Sequence, residues 1–380
     1  MPQPQPMVAP EQMYADLNRQ ECHNSLREGV MAQRQRAAEA ARGKWNATQK
    51  ETVPPDQPVN YLEQPSPANP EVTARQYNRK LYDHWISTWL KNAALNYASF
   101  PFAQADRCQN CGKTVPGAAY INGVQQLMLT EHGPCVIAGA GPSLDRNLKD
   151  LLKCDPIPPV FCSISNLRPF LAHGIKPAYV MAYDAGHGLA RYIIDPPGMV
   201  EKTADLHLIA ATTTSPELLA MWRGRITWFN CYDDSGGDYF WFLTHALPIF
   251  FPNVGTLPNT GCVLTAQMMM AAHLGYKPLL LVGADLSYPD MVSRCTDYKP
   301  VKGQWVAVPP PPERIPPKQL LVDYKGIKTR GTDMNYKAGL ENRVEVLRRE
   351  GAMVYNCSGS GIVEIQNCSI KEALSYGINS

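Results

Sequence analysis

The fold is decided by the stretch CVIAGAGPSLDRNLKDLL, residues 135–152. Its first part, residues 135–140, is short and apolar, which is typical of a buried strand. From residue 144 onward, leucine repeats at helical spacing, which predicts a helix over 144–153. A strand joined to a helix through a glycine-containing turn is one βα unit, so the stretch predicts an α/β fold.

The same texture continues to the end of the chain. Further strands are predicted at 160–165, 178–184, 206–212, 226–231, 278–285 and 352–357, and further helices at 73–97, 261–274 and 336–350. Strands that alternate with helices predict a mainly parallel sheet with flanking helices.

Composition divides the chain into three predicted segments. Residues 1–75 contain ten prolines and few large apolar residues, so they are predicted to form a polar arm that is partly helical or disordered. Residues 76–119 are predicted to be a helical and linker segment, and residues 120–380 the main domain. The proline-dense insertion 288–327 excludes a regular helix or a central strand there and suits a lid or a partner-binding loop.

Charge and hydropathy argue against nucleic acid and membranes as partners. The 36 Lys and Arg against 34 Asp and Glu give a net charge of +2, so no overall field favours nucleic acid or an anionic membrane. No apolar run approaches the roughly 20 residues that span a bilayer, and the N-terminus lacks signal-peptide regions. The sequence therefore predicts a cytoplasmic protein without a membrane span, whose arm docks on a protein partner or stays disordered.

Cysteine usage predicts free thiols rather than a disulfide framework. The chain has 11 cysteines, an odd number, and several lie in strand-like runs, as buried thiols of a reducing compartment do. Cys108 and Cys111 have the spacing of half a zinc ribbon. Structural zinc needs four ligands, and no second such pair follows.

The turn after the first strand contains Gly139, Gly141, Pro142 and Ser143. Glycines let a ligand approach the backbone, and the N–H groups at a helix N-terminus favour a phosphate. Ser143 can cap the helix or contact the ligand. The turn departs from the dinucleotide-binding pattern because the third glycine is missing. It predicts either a phosphate or nucleotide site or a plain strand-to-helix connection.

Polar residues follow three other predicted strands. Asn166, Asp184 and Asp285 each stand where a strand ends, and the carboxyl edge of a parallel sheet is where ligands bind. Asn166 could equally cap a helix, and Asp184 could cap the following turn. The two aspartates could also hold Mg²⁺ beside phosphates.

Two further positions have the residue types of a site. Thr260 and Gly261 open the most apolar predicted helix, where they suit an anion or serve as an ordinary cap. His187 lies three residues after Asp184 and is a candidate general base.

The order of these motifs resembles the superfamily named after the archaeal 6-hydroxymethylpterin diphosphokinase, which includes motility-associated flagellin glycosyltransferases. The matching motifs are Val136–Leu144, Ser165–Leu167, Gly174–Val180 with Asp184, Thr260-Gly261, Leu274–Lys277 and Val282–Asp285. They extend over roughly residues 120–375. The sequence is similar, more distantly, to bacterial sialyltransferases, which implies a Rossmann-like fold of the GT-A variant type.

The resemblance implies a role for each motif in binding a nucleotide. It implies that the phosphate site is lined by Gly139, Gly141, Pro142 and Ser143. Asn166 would hydrogen-bond the donor nucleotide, and Thr260 with Gly261 would contact its base or ribose.

Other positions match less completely. Asp184 corresponds to a polar or acidic position of these families, and Asp285 with Ser287 matches a strand end followed by hydroxyl-bearing residues. The sialyltransferases have a histidine base shortly before their last long helix, whereas residues 331–336 read GTDMNY here. Asp333 is the candidate substitute in that stretch.

Three functions follow from this reading. The first is a nucleotide-dependent transferase, a glycosyltransferase that takes a CMP-nonulosonate type of nucleotide sugar as donor and a protein or glycan as acceptor, with Asp333 or His187 as the base and no tightly bound cofactor. The second is an ATP-dependent pyrophosphokinase in which Asp184 and Asp285 bind Mg²⁺. The third is a binding or assembly protein that retains the fold without catalysis.

Overall fold

The computed structural model describes residues 85–97, 122–123, 133–232, 245–251, 254–258, 261–308 and 321–378. The predicted arm 1–75, the Cys108/Cys111 pair and Thr260 lie outside these residues.

The described helices are α1 (85–97), α2 (Leu144–Leu151), α3 (Leu167–Ala172), α4 (Arg191–Ile194), α5 (Pro216–Met221), α6 (Leu247–Phe250), α7 (Val263–His273), α8 (Gly331–Arg349) and α9 (Ile370–Ile378). The strands are β1 (Asn122–Gly123), β2 (Cys135–Ala138), β3 (Val160–Ser163), β4 (Tyr179–Ala182), β5 (His207–Ala211), β6 (Arg225–Tyr232), β7 (Thr256–Pro258), β8 (Leu279–Val282), β9 (Asp297–Val301), β10 (Gln304–Val308), β11 (Leu321–Tyr324), β12 (Ile327–Arg330) and β13 (Val354–Asn356).

One large sheet organises the described residues. Its strand order is β1-β6-β5-β4-β3-β2-β8-β13, with β7 paired to β6, and the strand pairs are parallel throughout. The predicted α/β, mainly parallel and Rossmann-like fold is therefore confirmed. From β2 the chain builds the sheet outward in one direction through β6, and β8 then adds on the other side of β2. This reversal makes the junction of β2 and β8 the topological switch point, beside which ligands bind in such folds.

All seven predicted strands are present, with shifts at their ends. The three central strands β2, β3 and β8 are buried along their whole length. Strands covered by helices on both faces read as continuous apolar runs, which is why they were visible in the sequence. The helix predicted at 336–350 begins earlier, at Gly331. The sequence pattern missed its first turn because that turn is polar and lacks the apolar spacing of the rest.

The insertion 288–327 contains more regular structure than its prolines indicate. The hairpin β9–β10 precedes the proline run, and β11–β12 follows it, both antiparallel and outside the large sheet. Among the described residues of the insertion, no strand joins the large sheet, and the prolines themselves at 309–317 lie outside the described residues.

Helix α1 is anchored across the carboxyl edge of the sheet by two asparagines one turn apart. The Asn92 side-chain amide donates to Ala185 O and Thr213 O, both at 3.0 Å. The Asn96 amide donates to Thr212 O and Thr214 O, both at 2.9 Å. Because these carbonyls belong to the loops after β4 and β5, α1 covers that part of the edge. None of the described helices combines the length and apolarity required to cross a bilayer.

Candidate functional site

The glycine turn after β2 is bound to the segment that follows β8. The Gly139 N–H donates to Val282 O at 2.8 Å, and the Gly141 N–H donates to Gly283 O at 2.9 Å. The Ser143 N–H donates to Asp285 Oδ2 at 3.1 Å. Since proline has no N–H, these bonds occupy most of the amides that the turn could offer to a phosphate.

Steric crowding explains why glycine stands at both positions of this turn. A Cβ on Gly139 would lie 2.2 Å from Gly283 O, and a Cβ on Gly141 would lie 2.1 Å from Asp285 Oδ2. The two chain segments can therefore approach this closely only without side chains there. In this structure the space beside the two glycines is filled by the segment after β8, not by a ligand.

Asp285 joins three loops at the switch point. Its side chain is fully buried. Oδ2 accepts from Ser143 Oγ at 2.7 Å as well as from the Ser143 N–H, and Oδ1 accepts from Ser360 Oγ in the loop after β13. Burial raises the pKa of Asp285, and the bonds from Ser360 and Ser143 oppose that rise. Both carboxylate oxygens are thus occupied by the protein.

Asn166 holds the other side of the glycine turn in place through hydrogen bonds. Its Nδ2 donates to Ala138 O at 3.0 Å and to Gly139 O at 2.8 Å. Its Oδ1 accepts from the Ser163 N–H at 2.7 Å and from Ser163 Oγ at 3.0 Å. The residue is fully buried and does not cap α3 through its side chain. Its position fixes the end of β2 against the end of β3.

Asp184 and His187 lie on the loop after β4. Asp184 is exposed, and its Oδ1 accepts from the Gly186 N–H at 2.8 Å, as the turn-capping alternative predicts. His187 opens a short 3-10 turn, His187–Leu189, and its side chain lies outside the described part of the structure. Trp85 of α1 lies over this loop, 3.4 Å from the position of a Cβ on Gly186.

The beginnings of α7 and α8 meet at the same edge. Gly261 adopts a φ of +76°, and a Cβ there would lie 2.9 Å from the ring of Tyr336 in α8. Asp333, in the first turn of α8, is buried and accepts from Arg330 at 2.9 and 3.0 Å with its two oxygens. Burial and the Asp333 carboxylate raise the pKa of Tyr288. Gly261 therefore lies against α8, the helix whose first turn contains Asp333.

Ser287 and Ser360 lie at the same edge, close to Asp285 in sequence or in space. Ser287 is buried two residues after Asp285. Ser360 was not predicted, although it lies in the run Ser358-Gly359-Ser360-Gly361 directly after the predicted strand 352–357. Glycine and serine after a strand are the signal that could have found it.

The predicted pair of aspartates does not fit a Mg²⁺ site. Both oxygens of Asp285 accept hydrogen bonds within a buried cluster, whereas Asp184 is exposed on another loop. Among the described residues, no group of three or more His, Cys, Asp or Glu side chains could hold a metal ion.

The fold and edge define a Rossmann-like α/β protein with a glycine turn at the switch point. Residues 114–291 match the family described as "6-hydroxymethylpterin diphosphokinase MptE-like", so the resemblance predicted from the motifs is confirmed over that segment. No curated protein matches the chain in sequence.

A solved structure, "Structure of MAf glycosyltransferase from Magnetospirillum magneticum AMB-1", is also similar. It is 18% identical in sequence with a TM-score of 0.41, and the match covers 63% of this chain and 33% of that chain. The matched part thus spans about a third of the length of that protein.

Proposed function

We propose that the protein is a nucleotide-dependent transferase whose donor is a nucleotide-activated sugar of the CMP-nonulosonate type. The observation that carries the proposal is the partly exposed turn 139–142 at the switch point, held in place by the buried side chains of Asp285 and Asn166. A transferase also agrees with the match to the diphosphokinase-like family. Rigid positioning of a donor is one contribution that such a site makes to group transfer.

The chemistry is a displacement at the anomeric carbon. An acceptor hydroxyl attacks that carbon, the bond from the carbon to the phosphate oxygen breaks, and CMP leaves with the electron pair. A base takes the hydroxyl proton. Asp333 is buried and bound by Arg330 through both oxygens, so we assign this role to His187, on the loop of the exposed Asp184.

The occupied carboxylate of Asp285 favours this reading over one that needs Mg²⁺ between two aspartates. The second candidate is ATP-dependent pyrophosphoryl transfer, which the name of the matched family favours. In that case the metal would be held by the phosphates and by groups other than this pair.

Calorimetric titration of the full chain with CMP, CDP, UDP, GDP and ATP, each with and without Mg²⁺, tests the proposal. We expect metal-independent binding of CMP. Binding of ATP that requires Mg²⁺, without binding of CMP, would replace the proposal by pyrophosphoryl transfer. No binding across the series would contradict both and leave a non-catalytic assembly role.

A further inference from the structure

Three arginines surround one buried tyrosine at the carboxyl edge. The guanidinium carbons of Arg168, Arg191 and Arg294 lie 5.0, 5.4 and 5.9 Å from the centroid of the Tyr192 ring. Arg294 also donates a hydrogen bond to the Tyr192 hydroxyl. The arginines come from the segments that follow β3, β4 and β8, so only the tertiary fold brings them together.

This arginine cluster lies beside the glycine turn. Helix α4, which contains Arg191 and Tyr192, packs against the single turn Ile164–Asn166 after β3. The residue after Arg294, Cys295, donates its N–H to Ala140 O in the middle of the glycine turn at 3.0 Å. A group bound at the exposed face of the turn would therefore have the cluster as its neighbour.

The positive charge of the cluster is only partly balanced. Arg168 is buried and pairs with Asp297 through both carboxylate oxygens. Within the described part of the chain, no carboxylate forms an ion pair with Arg191 or Arg294, and both are partly exposed. The ring attracts the guanidinium groups through its π face but does not neutralise them. Arg191 and Arg294 thus place two partly exposed positive charges at one position.

We propose that Arg191 and Arg294 bind the phosphate of the substrate nucleotide, an inference that rests on the proposed function. The glycine turn cannot form the usual cradle because the amides of Gly139, Gly141 and Ser143 already donate within the protein. A phosphate at this edge needs other donors, and guanidinium groups bind phosphate oxygens in pairs. The phosphate gains its second negative charge as CMP leaves, and two guanidinium charges match that dianion better than the single charge of a sugar carboxylate.

The test compares Arg191→Gln and Arg294→Gln with Arg349→Gln, which removes an exposed arginine at the end of α8. Each full-length variant is titrated by calorimetry with inorganic pyrophosphate, CMP, cytidine, ATP and N-acetylneuraminate at fixed ionic strength. We expect about 10- to 100-fold weaker binding of pyrophosphate and CMP in the first two variants, the loss typical of one charge-assisted contact. The affinity for cytidine should be unchanged in every variant. The control variant should bind each ligand with the affinity of the unmodified protein.

A melting curve for each variant separates lost binding from lost folding. Arg294→Lys keeps the charge and serves as the second variant if Arg294→Gln does not fold, with an expected loss smaller than for the glutamine. Equal binding of phosphate ligands by all variants would overturn the inference while leaving nucleotide binding intact. Arginine-dependent binding of N-acetylneuraminate alone would overturn it in favour of a carboxylate site. Arginine-dependent binding of pyrophosphate without any nucleotide would uphold it and contradict the proposed function instead.

Discussion

Asn166→Ala distinguishes a residue that positions the glycine turn from one that contacts a ligand. The side chain makes four hydrogen bonds, two to the carbonyls of Ala138 and Gly139 and two from Ser163. Alanine removes all four bonds in a fully buried region. The partner groups then lack both a protein partner and access to solvent. The end of β2 then loses its connection to the end of β3.

The expected cost follows from these bonds. A net value of about 1 kcal/mol for each bond gives about 3–4 kcal/mol in the free energy of unfolding, after allowing for partial relaxation. Asn166→Asp keeps the shape but turns a carboxylate oxygen towards two carbonyls. It should cost at least as much at neutral pH and recover part of the loss in acid, where protonation restores one donor.

Denaturant unfolding of the two variants measures the cost, with the exposed Asn342→Ala as the control. The control should change the free energy of unfolding by no more than about 0.5 kcal/mol. If Asn166→Ala matched the stability of the unmodified protein yet lost nucleotide binding, the amide would contact the ligand. The argument that it positions the turn would then be refuted.

Three other perturbations have defined outcomes. Gly141→Ala places a Cβ 2.1 Å from Asp285 Oδ2, so it should lower the melting temperature strongly. The control Gly188→Ala meets nothing within 4 Å and should leave the melting temperature unchanged. Equal melting temperatures of the two variants would contradict the close approach of Gly141 to Asp285. Burial, with a smaller contribution from the charge of a neighbouring arginine, lowers the pKa of His207 to about 4. The unfolded chain therefore takes up the proton first as pH falls from 6.5, and stability falls by about 2–3 kcal/mol towards pH 4. His207→Asn should lack this part of the acid sensitivity in urea unfolding at several pH values, and an unchanged pH profile would disprove the assignment. Asn92→Ala removes two bonds that anchor α1 and should cost about 2 kcal/mol; hydrogen exchange in 85–97 should rise, and unchanged protection would contradict the anchoring.

The sequence could predict where the candidate site residues lie because they follow the ends of strands. Asn166, Asp184 and Asp285 were found as polar residues after apolar runs, and the parallel sheet brings such ends to one edge. Their individual tasks could not be found in this way. Whether a polar group faces a ligand or the backbone of a neighbouring loop depends on distances between segments over a hundred residues apart, such as Ser143 and Asp285.

The sequence by itself determined the α/β class, the seven strands that it predicted and the edge of the sheet at which the candidate site residues lie. These features follow from local patterns of apolar residues and from the rule that parallel strands end together. Only the tertiary structure decided that the segment after β8 packs against Gly139 and Gly141. It alone decided that both carboxylate oxygens of Asp285 accept hydrogen bonds from serines. It also decided that three arginines meet at Tyr192. Contacts of this kind arise from packing between distant loops, and no local pattern of residues encodes them.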